Sequence, residues 1–138
     1  YTAGAAASII GTLILDAQGD PNALFIFKIG GALSSVAGSE IILTNGASSD
    51  NVFWIAVGAV ALGANTTMVG TAIAYPGAVS LGAGGAFDGR FYSTVGAIAI
   101  DSAVASIPLG SPFYDTPFNC DLSAYLFQDN DIYAIDLA

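Results

Sequence analysis

Large aliphatic residues alternate with small ones in short runs that recur along this chain. Thr12-Leu13-Ile14-Leu15, Ala59-Val60-Ala61-Leu62, Ala78-Val79-Ser80-Leu81 and Ala97-Ile98-Ala99-Ile100 each place their bulky side chains two apart. That is the period of a strand with one buried face. A glycine opens each run, and Gly58, Gly77 and Gly96 are 19 residues apart, with looser copies opening at Gly11 and Gly31. A second rank of strands is predicted before most of these glycines, over residues 23–29, 52–57, 68–74 and 87–93, where β-branched and aromatic residues gather. Turn chemistry separates the runs at Gln18 to Asn22, Asn45-Gly46, Gly63 to Asn65 and Gly82 to Gly85. The longer step from Gly31 to Gly58 is expected to hold an additional or extended strand at Glu40 to Thr44. No stretch carries the period of a long amphipathic helix. Two or three short strands per glycine-started repeat describe a coil of a β-solenoid, which buries its apolar side only by stacking on the next coil. The fold expected is all-β, a solenoid of about five coils stacked at about 4.8 Å.

The alternation assigns an interior. Leu13, Leu15, Leu33, Val60, Leu62, Val79, Leu81, Ile98 and Ile100 are expected inside, with Phe25, Phe27, Phe53 and Ile55 from the second rank. Residues 1–106 carry the repeats. Residues 107–138 form an acidic, aromatic tail with Pro108, Pro112 and Pro117, expected to pack on the solenoid or on a neighbouring chain.

Composition narrows the function classes. Hydrophobic residues make up 54% of the 138 and charged residues 9%, a balance unlike a disordered chain. No apolar run is long enough to span a bilayer as a helix, and no signal peptide is visible at the N-terminus. Two basic against eleven acidic residues give a net charge of −9, which argues against nucleic acid and anionic membranes as partners. The absence of histidine removes Ser-His-Asp and Cys-His chemistry, and no other catalytic set stands out. Asp16 and Asp20 lie in turn sequence. Asp129, Asp131 and Asp136 do not match a calcium-loop spacing, so no metal is expected. Gly82 to Gly85 reads as a corner, since no Lys-Ser/Thr follows it. Asn65-Thr66-Thr67 fits a glycosylation sequon and also a turn. The lone Cys120 has no internal disulfide partner.

The stretch Leu13 to Gly30 (LILDAQGDPNALFIFKIG) resembles the signature of the microbial ice-binding (antifreeze) protein-like family. Asn51 to Trp54 (NVFW), Leu62 to Thr71 (LGANTTMVGT) and Asp88 to Arg90 (DGR) continue that likeness in order. The resemblance covers about residues 8–101. It implies a right-handed β-helix of triangular section, an extracellular or cell-surface location, no cofactor and no enzymatic activity. It also implies that Tyr1 falls inside a longer domain, because such proteins carry further N-terminal coils and a long helix lying along the solenoid.

With that resemblance in hand, two outer surfaces are candidates. The first is a flat Ala/Ser/Thr face of Thr12, Ala32, Ala59, Ala78 and Ala97, with Ser34, Ala61, Ser80 and Ala99 beside it, suited to ice or another surface. The same small residues also suit packing against a helix or a second subunit. The second is an apolar set of Leu24, Ile26, Val52 and Trp54, a possible subunit interface. Ile132, Tyr133, Ile135 and Leu137 could add a strand to a neighbour or fold back on their own solenoid. Two functions follow: ice or surface binding through the flat face, or a structural subunit that assembles with copies of itself into a filament or surface layer by end-to-end stacking and strand donation.

Overall fold

The computed structural model describes residues 1–107. Every strand pairing within them is parallel, and the chain winds through five successive coils. Coil one holds β1 (Thr2–Ala3), β2 (Ala7–Ile9) and β3 (Thr12–Asp16); coil two holds β4 (Phe25–Ile29), β5 (Leu33–Ser35) and β6 (Glu40–Thr44). Coil three holds β7 (Val52–Ala56), β8 (Val60–Leu62) and the first half of β9 (Thr67–Ala74). Coil four takes the rest of β9, then β10 (Val79–Leu81) and the start of β11 (Ala86–Ser93); coil five finishes β11 and adds β12 (Ile98–Ile100) and β13 (Val104–Ser106).

Three faces result. The repeat face stacks β2, β5, β8, β10 and β12. An aromatic face stacks β1, β4, β7 and the second halves of β9 and β11. The third stacks β3, β6, the first halves of β9 and β11, and β13. The long strands β9 and β11 turn the corner between two faces in mid-strand. Gly70 and Gly89 are in register at that corner. Gly70 has φ +102°, and a Cβ there would lie 2.6 Å from the carbonyl oxygen of Val52, so only glycine lets the strand bend so close to its neighbour.

The repeating glycines have a different cause. A Cβ at Gly77 would fall 2.6 Å from the backbone nitrogen of Ala59, because successive coils pass almost in contact at this corner. The repeat period follows from the insertions between faces. Register steps on the repeat face run from Ala7 to Leu33 and Leu33 to Val60, then shorten to Val60 to Val79 and Val79 to Ile98. Glu40–Thr44 is the ordinary third strand of coil two. The extra length comes from the turn at Asn45-Gly46 and a 3₁₀ helix, Ser49–Asn51, capped by the Ser48 side chain.

Register determines the core. Leu33, Val60 and Val79 form one buried file, and Leu62 and Leu81 a second. On the aromatic face Phe25 pairs with Val52 and Phe27 with Trp54. This corrects the expected parity of β7. Val52 and Trp54 are 0% and 2% exposed and face inward, while Phe53 and Ile55 take the outer side. The physical reason is the stack: Tyr1, Phe27 and Trp54 lie ring on ring, with centroids 5.0 and 4.1 Å apart. The Trp54 indole N–H also donates to the Val69 carbonyl at 2.9 Å, satisfying the polar atom that burial would otherwise strand.

Polar residues inside the solenoid are likewise paired. The Ser35 and Thr66 hydroxyls are 2.8 Å apart, and the Ser39 hydroxyl donates to the Ile9 carbonyl at 2.9 Å. Coil five is different. Ile98 and Ile100 continue the two core files, yet they are 47% and 45% exposed, because no strand among the described residues stacks beyond β12.

Candidate functional site

The three outer faces differ in chemistry. On the repeat face the middle residue of each three-residue strand points outward, between two core positions. Ser8, Ser34, Ala61, Ser80 and Ala99 are therefore in continuous register across five coils. A second file runs beside it: Leu33 N–H donates to the Ala59 carbonyl, Val60 N–H to Ala78 and Val79 N–H to Ala97, each at 2.9 Å, and Ala7 N–H to Ala32 at the same distance. Ala32, Ala59, Ala78 and Ala97 thus stack as well. Strand geometry sets the grid, at about 4.8 Å between coils and about 6.7 Å between files. Every position on it is a methyl or a small hydroxyl, and none is charged.

Thr12 is not on this grid. It opens β3 on the third face, opposite Glu40. Its glycine-started run looks like a repeat copy, but it lies one corner further round the coil. The coil-one position belongs to Ser8, which the glycine pattern passes over because no glycine opens Ala6-Ala7-Ser8-Ile9. Alternation alone could have found it, with Ala7 and Ile9 turned inward around an exposed serine.

The third face is interrupted. Its outer positions include Thr12, Ile14 and Asp16 on β3 and Glu40, Ile42 and Thr44 on β6. The 3₁₀ helix is tied to β11 and β13 by a polar network: the Ser49 and Ser106 hydroxyls donate to the two oxygens of Asp88, and Arg90 pairs with Asp50 at 3.2 Å. The turn after β3 is fastened by Asp16, whose Oδ1 accepts from the Gln18 backbone N–H at 2.7 Å and the Asn45 amide at 2.8 Å. Those two bonds, the backbone one first, hold the Asp16 carboxyl below the ordinary aspartate value. Among the described residues no group of three acidic or cysteine side chains is placed to hold a metal ion.

The aromatic face turns Ile26, Phe53, Ile55 and Ile73 outward, with Lys28, Thr71, Arg90 and Tyr92 on the same files. Of the residues expected at a subunit interface, Leu24 is exposed and Ile26 half-buried, whereas Val52 and Trp54 belong to the core. Ile132, Tyr133, Ile135 and Leu137, like the 107–138 tail beyond its first residue, lie outside the described residues. Asn65 sits exposed at a corner with φ +56°, a conformation that asparagine tolerates in turns.

The model of the ice-binding-like family matches residues 1–106. The chain belongs to the ice-binding-like family. It is 39% identical over 93 residues to ice-binding protein 1 of Shewanella frigidimarina, a match covering 67% of this chain and 10% of that protein. It is 37% identical over 103 residues to an ice-binding protein of Nostoc, covering 74% and 38% respectively. A crystal structure of an ice-binding protein from an Antarctic bacterium of the Flavobacteriaceae superposes with a TM-score of 0.78 at 46% identity, covering 80% of this chain and 27% of that one. The fold is accordingly the right-handed β-helix of this family. The chain spans well under half the length of these relatives.

Proposed function

We propose that this domain is a non-enzymatic, extracellular ice-binding module acting through the repeat face. The observation that carries the reading is the double file of Ala32, Ala59, Ala78 and Ala97 beside Ser8, Ser34, Ala61, Ser80 and Ala99, in register over five coils. Small methyl and hydroxyl groups on a planar parallel sheet hold water weakly and at fixed spacing. Such a surface can carry an ordered water layer into an ice lattice, whereas charged side chains would bind water in their own geometry. Family membership points to ice as the surface. Ice-affinity partitioning and thermal hysteresis test the proposal. Ala61→Tyr places a bulky ring at the centre of the grid and should abolish uptake into ice while leaving the unfolding transition within about 0.5 kcal/mol of wild type. Wild-type protein that stays in the liquid fraction, or an Ala61→Tyr variant that partitions normally, sinks the reading.

A second reading, a structural subunit assembling by end-to-end stacking, is favoured by one feature. Among the described residues the core files end on half-exposed Ile98 and Ile100 at the edge of the sheet, and open strand edges recruit further strands. Sedimentation across a concentration series tests it, and a sedimentation coefficient independent of concentration excludes it.

A further inference from the structure

The turn that leads from coil one to coil two stacks on the turn that leads from coil two to coil three. Gln18-Gly19 and Asn45-Gly46 all have positive φ, at 54°, 88°, 50° and 91°. The Gly19 N–H donates to the Asn45 carbonyl at 2.8 Å, which clamps one turn to the next. Asn45 is the one asparagine of this sequence that glycine follows. Asn-Gly is chemically exposed, because glycine offers its backbone nitrogen with no side chain in the way. That nitrogen attacks the side-chain carbonyl carbon of Asn45 and gives up its proton. The amide nitrogen leaves as ammonia, closing a succinimide. Water then opens the ring on either side, giving aspartate or isoaspartate with no oxidant or cofactor required.

We propose that Asn45 is this domain's site of spontaneous amide loss, and that the Asp16 carboxylate of the neighbouring coil restrains it. Ring closure requires the Asn45 side chain to swing onto the Gly46 nitrogen. The folded chain instead holds that side chain on coil one, through the 2.8 Å bond from its amide nitrogen to Asp16 Oδ1. The same oxygen is fixed by the Gln18 backbone N–H at 2.7 Å, so the restraint is anchored to the first turn rather than to a loose side chain. The left-handed backbone at Asn45 and Gly46 adds to it, since the turn must leave that conformation before the ring can close.

The product differs sharply from the reactant at this spot. A carboxylate at position 45 turns a donor into a second acceptor beside Asp16, so an attraction becomes like-charge repulsion. Isoaspartate also inserts a methylene into the backbone of a turn stacked on its neighbour. Either change loosens the junction between the coils that carry Ser8 and Ser34.

The experiment follows amide loss by peptide-mapping mass spectrometry in folded protein held warm in mildly alkaline buffer. Conversion is expected at Asn45 before Asn22, Asn51 or Asn65. Asp16→Ala should accelerate it about tenfold, the factor of one lost charge-assisted hydrogen bond. Asp16→Asn keeps an oxygen acceptor without the charge and should fall between wild type and Asp16→Ala. In urea the wild type and Asp16→Ala should react at one common, faster rate. Circular dichroism checks that Asp16→Ala is folded; if it is not, the comparison of folded with urea-unfolded wild type decides. Equal rates in folded wild type and folded Asp16→Ala overturn the proposal. So does wild type that reacts no faster in urea, or first conversion at another asparagine.

Discussion

Leu81 and Ile100 occupy one core file in adjacent coils, and truncating each measures how far the solenoid is closed at its fifth coil. Leu81 is 1% exposed and lies between Leu62 and Ile100. Leu81→Ala removes three carbon groups, about 2.4 kcal/mol at roughly 0.8 kcal/mol per buried methylene. Because neighbours on both sides hold the space open, the cavity brings the total to about 3–4 kcal/mol. Ile100 is 45% exposed, so the same truncation loses only about half the transfer energy and leaves no enclosed cavity. Its expected cost is about 1 kcal/mol. Each kcal/mol moves the melting temperature of a chain this size by about 3 °C. Leu81→Ala should therefore melt about 10 °C below wild type and Ile100→Ala about 3 °C below. Urea titrations followed by far-ultraviolet circular dichroism, with the slope of the transition compared across variants, supply the free energies. Equal losses at the two positions would refute the reasoning, since Ile100 would then be covered as thoroughly as Leu81.

Further outcomes follow from register and turn geometry. Val52→Asp should prevent folding, because it buries an unpaired carboxylate at a 0% exposed position, whereas Phe53→Asp one residue later should leave a folded, soluble protein; circular dichroism and expression yield report both. Gly70→Ala should cost at least ~2 kcal/mol, from strain at φ +102° and the collision with the Val52 carbonyl, measured by thermal melting. Asp16 has a folded pKa below its unfolded one, so its contribution to stability is present above the unfolded value and is lost as pH falls through the folded value. Carboxyl-carbon titration by NMR should therefore place Asp16 below the ordinary aspartate value, with the Gln18 amide shift moving in step; titration at the ordinary value would contradict the two hydrogen bonds.

Strand content and the coil architecture were legible because alternation and glycine corners are local signals. Residues 68–74 and 87–93 read as strands from their composition, one residue short at the start of each strand in the structure. What local pattern could not reveal was direction. Val52 and Trp54, or Phe53 and Ile55, satisfy the alternation equally well, and all four are apolar, so hydrophobicity does not choose between them. The choice is made across coils, where Trp54 stacks on Phe27 and its N–H finds the Val69 carbonyl. Thr12 illustrates the second limit. A glycine followed by alternating residues marks a corner and a strand, but a triangular coil has three of each, and the motif does not say which. Gly70 shows the third: inside an apparently continuous strand it is a corner, visible only once the neighbouring backbone occupies the space its side chain would need.

Three differences between the faces single out the repeat face as the one proposed to bind. An extended crystalline surface can be met only by a face that is flat over several coils and free of groups that organise water locally. The third face lacks continuity, because the 3₁₀ helix and its Asp88, Ser49 and Ser106 network break it at coils three to five. The aromatic face is continuous but uneven, mixing Ile26, Phe53, Ile55 and Ile73 with Lys28, Arg90 and Tyr92, and so including both of the chain's basic residues. The repeat face alone keeps small neutral side chains at every outward position while Leu33, Val60, Val79, Leu62 and Leu81 anchor it from beneath. Its regularity has one origin: three-residue strands whose two end residues face inward leave a single small residue outside, and stacking repeats that residue from coil to coil.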